Sequence, residues 1–261
     1  MKRILFASVL SLSLAAVCWS ASSPVAAQEI KQDRPRVEDI LDREAEAMGG
    51  KEANSKIKTF IMQATVSVDG VDINIVAHYA GPNKTCMEIS IDGIGSETTV
   101  VNGNMAWVTG DLSGDRILDG DEKAEAFRKA KEMAETYARI GNWRTDYKQV
   151  ALLGEVDLDG KAAYKVSLTS QKGDVVINYY DKATGLLVQS EAKLDTPEGP
   201  VDVVITNGDH KKVDGVTLAF STTISSAEGD IFVVIDSVQH NVAIPDSLFV
   251  LPSDLKNGGG N

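Results

Sequence analysis

From Thr59 onward the chain alternates apolar and polar positions. Phe60, Met62, Ala64, Val66 and Val68 are spaced by Ile61, Gln63, Thr65 and Ser67. Ile73, Ile75, Ala77 and Tyr79 are spaced by Asn74, Val76 and His78, and Met87, Ile89 and Ile91 continue the series. Residues 98–101 and 105–108 follow around Asn102-Gly103. A period of two sends successive side chains to opposite faces of a sheet, so these segments predict strands with one apolar face. Short links between them predict antiparallel neighbours. Asp-Gly or Asn-Gly pairs supply the breaks at Asp69-Gly70, Asp92-Gly93, Asn102-Gly103, Asp119-Gly120, Asp159-Gly160, Asn207-Gly208 and Asp214-Gly215. Such pairs tolerate the positive φ angles of a tight two-residue turn.

Two blocks break the alternation. Val37, Ile40, Leu41, Ala45 and Met48 fall on one helical stripe, with Pro35 at the first turn and Gly49-Gly50 as a stop, which predicts a helix over 36–48. Residues 111–120 form an acidic, Gly-rich loop, and 121–140 form a second helical block ended by Gly141. Ala124, Phe127, Ala130, Ala134, Tyr137 and Ala138 make its narrow apolar stripe, suited to lying close over another surface. Asp119 or Asp121 is the expected cap of this helix.

Strand patterning resumes near 147, with candidates at 152–156, 164–168, 175–180, 186–194, 201–205, 216–224 and 231–238. Ile244-Pro245-Asp246-Ser247 and Leu248-Phe249 predict a final turn with an apolar anchor, and a disordered tail is expected over 255–261. No Pro- or Ser-rich linker divides 28–254, so one domain is expected there. Ten or more twisted strands in one meander curl strongly. The pattern therefore predicts a mainly β fold with α: a single curved antiparallel sheet forming a half-open barrel. An N-terminal helix and the inserted central helix would cover it. A sandwich and a closed barrel are the other ends open to such a meander.

Composition changes this picture chiefly at the N-terminus. Lys2 and Arg3, an apolar run over 4–17 and small residues at Val25-Ala26-Ala27 predict a secretory signal at 1–27, cut near Ala27. The run falls short of the about 20 apolar residues of a comfortable span, although an uncleaved anchor is the competing reading. Val17 before Cys18 disfavours lipidation there. A periplasmic or secreted protein is therefore expected. Cleavage would remove two cations and no acid, taking the net charge from −12 to −14. That charge excludes a basic nucleic-acid footprint. Only Cys86 would remain, read as a buried and inert thiol.

Candidate chemistry is sparse. His78, His210 and His240 have no partner at metal-ligand spacing, and no nucleophile elbow, metalloprotease motif or phosphate loop occurs. Asp111, Asp115, Asp119, Asp121 and Glu122 resemble a calcium loop in composition, without the required order. No metal, cofactor or catalytic set is expected. Asn83-Lys84-Thr85 fits a glycosylation acceptor. A carboxylate pair for glycoside hydrolysis stays open, although aromatic residues, at 6%, are few for a sugar-stacking cleft.

An ordered set of segments carries a likeness. It runs from the export signal through Ile40-Leu41-Asp42-Arg43-Glu44-Ala45 and Met48-Gly49-Gly50 to strands entered at Ile57-Lys58-Thr59. Next come Asn102-Gly103-Asn104-Met105-Ala106-Trp107, the helical block, Asp159-Gly160-Lys161-Ala162-Ala163-Tyr164-Lys165-Val166 and Tyr180-Asp181-Lys182-Ala183-Thr184-Gly185-Leu186. The motif at 213–218 and the terminal Ile244-Pro245-Asp246-Ser247-Leu248-Phe249 complete it. This order resembles the LolA/LolB-like superfamily of outer-membrane lipoprotein-sorting proteins, together with RseB-like regulators and mycobacterial lipid carriers.

The resemblance implies a non-enzymatic carrier or binder of a hydrophobic, acyl-bearing ligand or lipoprotein, acting as a monomer. Phe60, Met62, Val66, Ile73, Ile75, Met87 and Ile89 would line the hollow, with Trp107, Phe127 and Tyr137 around the lid. The alternatives are an RseB-like sensor or assembly protein that docks an envelope partner, and a secreted hydrolase. The superfamily's lipoprotein chaperones tie the lid shut with an Arg on an early strand. This chain departs there, having no Arg between Arg43 and Arg116.

Overall fold

The computed structural model describes residues 34–81, 83–196 and 199–257. The expected signal sequence and the last residues of the expected tail lie outside them. Among the described residues thirteen strands form one antiparallel sheet. The first series is β1 Phe60–Val68, β2 Val71–Tyr79, β3 Lys84–Ile91, β4 Gly95–Asn102, β5 Met105–Gly110 and the short β6 Arg116–Ile117. The second is β7 Tyr147–Leu158, β8 Lys161–Ser170, β9 Val175–Asp181, β10 Leu187–Thr196, β11 Gly199–Val213, β12 Val216–Ser226 and β13 Gly229–His240. β13 pairs with β1, so the two series meet mid-sheet and β6 and β7 form its two edges. The chain between those edges carries α3 Gly120–Ala138 and α4 Trp143–Asp146.

The sheet is open and curved, and its curvature can be read from α3. Ala126 and Ala130 pack in a cluster with Val101 and Val108 of β4 and β5. Tyr137 packs in a cluster with Val216, Leu218 and Phe220 of β12. From Ala130 to Tyr137 the helix advances only about 10 Å. Five strand intervals separate β4 from β12, about 24 Å in a flat sheet. One helix meets both groups because the sheet wraps around it.

Most expected turns are found. Asp69, Asp159 and Asp214 take positive φ beside Gly70, Gly160 and Gly215, and each pair closes a hairpin. Two pairs behave otherwise. Asp119-Gly120 opens α3 instead of a strand turn, and Asp119, the N-cap, makes no side-chain capping hydrogen bond. Asn207-Gly208 lies inside β11, where Gly208 pairs with Ser221 and His210 with Ala219. Asp209, at φ 47°, sits between these two pairs with no change of register, so one strand runs through the expected break.

The helices dock at defined points. α1 Val37–Ala47 buries Ile40 and Leu41 against Val166, Leu168 and Tyr180, and Ala45 is buried on the same stripe. Arg43 clamps the β9–β10 turn by donating to the carbonyls of Lys182 at 2.9 Å and Ala183 at 2.7 Å. α2 Gly50–Ser55 follows through Gly49, at φ 101°. An added Cβ there would collide with the Gly215 carbonyl of the β11–β12 turn, so this close approach requires glycine. A 3₁₀ turn at Asp246–Phe249 and α5 Ser253–Asn257 cover the other face of β3–β5. Order continues past the expected end at 254, because Leu255 packs against the cluster of Phe249, Trp107, Val100 and Cys86. Burial pushes the Cys86 thiol up to about 12, with the Glu88 charge adding to the shift.

Candidate functional site

Strand register sorts the expected site residues by face. Met62 opposes Ala77, which opposes Met87, then Thr99 and Val108. Ala64, Ile75, Ile89 and Glu97 form the next row, and Val66, Ile73 and Ile91 the next. The seven strand residues expected to line the hollow therefore share the inner face, continuous across β1–β3. Trp107 does not. It opposes Val100, one position out of phase with Val101 and Val108, and is buried under Phe249 on the outer face.

Beneath the N-terminal half of α3 this inner face encloses a cavity of about 210 Å³. Its floor is Met87, Ile89, Val101, Val108 and Leu118, with the hydroxyl residues Thr85 and Thr99. Ala126, Ala130 and Met133 of α3 form its roof. Alanines keep the helix close to the sheet yet leave the space unfilled, since the Cβ is all they project. Glu97, Arg116, Glu122, Glu125 and Lys129 ring the space. Arg116 donates to Glu122 at 2.8 Å and to the Ser113 carbonyl at 2.7 Å, while Glu97 accepts from Ser113. The arrangement is an apolar hollow with two hydroxyls inside and charges at the lip.

Of the ten expected ligand-binding residues, Met87 and Ile89 line this cavity. Phe60 is instead solid core, its ring stacked 5.1 Å from Tyr79 and edge-on 5.5 Å from Tyr137. Met62 packs against the same cluster. Val66, Ile73 and Ile75 lie half-buried farther along the inner face, away from the space under α3. Phe127 leans on the Val101–Val108 cluster without lining the cavity. The apolar stripe of α3 also differs from the one expected: Ala124 and Ala138 are exposed, whereas Ala126 is buried and Met133 half-buried. Met133 and Ala126 are in phase with Ala130 and Tyr137 at helical spacing, so the roof is centred slightly around the helix from the expected line.

Tyr137 serves as a pin. Its hydroxyl lies 2.8 Å from His240 Nε2 in a buried pair, and His240 Nδ1 is 3.3 Å from Asp214 Oδ2. The Asp214 contact falls outside hydrogen-bond geometry, leaving that ring nitrogen unsatisfied. Burial holds His240 below its ordinary range despite the Asp214 carboxylate, and burial pushes the Tyr137 phenol up. The neutral pair fixes the C-terminal part of α3 to the end of β13.

No family model matches the chain, and no curated protein sequence matches it. Solved structures do. A DUF1329 family protein from Desulfovibrio piger superposes with a TM-score of 0.51 at 15% identity, covering 82% of this chain and 97% of that one. The two share a fold. A LolA superfamily protein from Nitrosomonas europaea aligns over 83% of this chain and 98% of its own, at 14% identity and a TM-score of 0.47. At such identities the likeness is one of fold alone. No helix among the described residues is long and apolar enough to cross a membrane.

Proposed function

We propose that this chain is a non-enzymatic carrier that holds an acyl-bearing lipid or lipoprotein outside the cytoplasm. The observation that carries this reading is the hollow beneath α3, with an apolar floor, an alanine-lined roof and charges confined to the lip. Its driving force is hydrophobic: six methylenes withdrawn from water contribute about 5 kcal/mol before ordering costs. Met87 and Met133 supply adaptable walls, as a site taking chains of varied shape requires. The Thr85 and Thr99 hydroxyls offer donors to an ester or amide carbonyl, and the rim keeps a headgroup in water. Nothing in this scheme requires a bond to be made or broken. A sensor that docks a protein partner through a filled core receives less support, because the core beneath α3 is not filled.

Gently purified protein should show co-purifying lipid in native mass spectra and should release a fluorescent fatty acid on competition. Ile89→Trp, which projects a large ring into the hollow, should weaken probe binding at least tenfold, about 1.4 kcal/mol. Phe232→Ser, on the exposed outer face of β13, should leave it unchanged. No lipid and no displaceable probe, or full binding by Ile89→Trp, would overturn the reading.

A further inference from the structure

A second cavity, of about 280 Å³, lies under α1 near the other edge of the sheet. α1, the C-terminal end of α3, α4 and strands β7–β10 enclose it. Leu41, Leu168 and Leu187 supply apolar walls, and Glu44, Tyr147 and Tyr180 supply polar groups. Glu44 faces inward because it shares the helical stripe of Ile40, Leu41 and Ala45, the buried residues of α1. A carboxylate in such a place needs a compensating partner.

Two nearby arginines are already engaged. Arg139 is held by Asp146 at 3.2 Å and Glu135 at 3.6 Å. Arg144 is held by Asp42 at 2.8 Å and covers the Trp143 ring at 3.9 Å. Lys51 of α2 lies against Gly141 at the rim. None of these offsets Glu44: burial alone acts on its carboxyl and pushes it up to about 7. Tyr180 accepts a hydrogen bond from Asn178 Nδ2 at 3.0 Å, and Asn178 in turn accepts from Ser190 at 2.8 Å, so the phenol is held in place. Both tyrosines line the same cavity as Glu44, and burial raises both phenols.

We propose that this cavity binds a primary alkylammonium group. Its three N–H bonds would go to the Glu44 carboxylate and the hydroxyl oxygens of Tyr147 and Tyr180, with the alkyl stem against Leu41, Leu168 and Leu187. Three separate acceptors match an ammonium donor set. A planar guanidinium presents a fork of five donors suited to a bidentate carboxylate pair, and Arg144 already occupies the Trp143 ring face on which it could also stack. An anion would meet Glu44. The site is independent of the acyl-chain reading, since the two cavities share no lining residue. The ammonium could belong to a free amine or to an ethanolamine lipid headgroup.

Binding must ionise Glu44, so affinity should rise with pH through 7, by about tenfold between pH 6 and pH 8. Calorimetry on the full chain with n-butylamine should show this rise. Butan-1-ol should not bind, and Glu44→Gln should lose at least tenfold at pH 8. Carbon-detected NMR should show the Glu44 carboxyl titrating at lower pH when amine is added. Ile89→Trp should leave all of this intact. Capture of ethanolamine-phospholipid vesicles but not choline ones assigns the headgroup, and capture of neither, with butylamine still bound, assigns a free amine. No butylamine binding at pH 8, or equal binding by Glu44→Gln, overturns the proposal.

Discussion

Tyr137→Ala should destabilise the chain by about 4 kcal/mol, the usual cost of emptying a large aromatic site in a core. Two losses combine. The ring leaves the cluster of Phe60, Val216, Leu218 and Phe220, and His240 loses the hydroxyl that satisfies its buried Nε2. Tyr137→Phe keeps the ring and should cost only about 1–2 kcal/mol, so the pair of variants separates packing from the hydrogen bond. The consequence for the lid is directional. Near its start, α3 is tied by the Arg116–Glu122 pair, which is largely exposed and therefore weak. Near its end it is pinned by the buried Tyr137–His240 pair. Hydrogen exchange in the unmodified chain should reach residues 122–130 before 133–137, opening the lid from the cavity end. In Tyr137→Phe that difference should shrink. Uniform exchange along α3, or wild-type stability in Tyr137→Ala, would sink the pin.

The same pair carries a pH dependence. Burial depresses the folded-state value of His240, so its contribution is full above the ordinary His range. It is lost as pH falls through the depressed value, when the buried ring must charge beside Tyr137.

Much of the fold is legible in the sequence because strand alternation and turn chemistry are local. Asp69-Gly70 and Asp214-Gly215 announce their hairpins, and Val37 to Met48 announces α1. What escapes is decided by pairing. Asn207-Gly208 reads as a turn, yet β11 runs on through Asp209 in unchanged register, because β12 offers partners on both sides of it. Trp107 reads as a cavity ring because rings favour entrances. The register set by the Asn102-Gly103 turn places Val101 opposite Ala106 and Val100 opposite Trp107, which puts the tryptophan on the outer face. That register was available in the sequence and would have nominated Thr99, Val101 and Val108. The Tyr137–His240 tie, spanning 103 residues, was not, since no local pattern brings the end of β13 to α3. Glu44 was half visible: it is the charged position inside the stripe that identifies α1, a place where charge needs explaining.

Glu44→Gln should make the chain more stable at pH 8, by about 2–3 kcal/mol, with no added ligand. Burial raises the folded-state carboxyl from the unfolded value of 4.5 to about 7. A raised acid binds its proton more tightly in the folded state than in the unfolded one. Below the unfolded value both states are protonated, and the variant should match the parent. Between 4.5 and 7 the unfolded chain sheds the proton while the folded chain keeps it, so the parent loses stability as pH rises. Above 7 both are ionised and the deficit levels off. Its size is about 1.4 kcal/mol for each pH unit separating the folded and unfolded values, discounted for solvent that reaches the cavity. The difference between variant and parent in denaturant midpoints should therefore grow from pH 5 to pH 7 and stay constant to pH 9. A constant difference across that range would mean that the carboxyl is not desolvated. A loss of stability at pH 8 would mean that a partner compensates it. Excess butylamine should close the gap at pH 8 from the parent's side only, because the ligand stabilises whichever chain binds it. An acidic side chain that weakens the empty fold, and that a cation restores, is the thermodynamic mark of a binding residue as distinct from a packing fault.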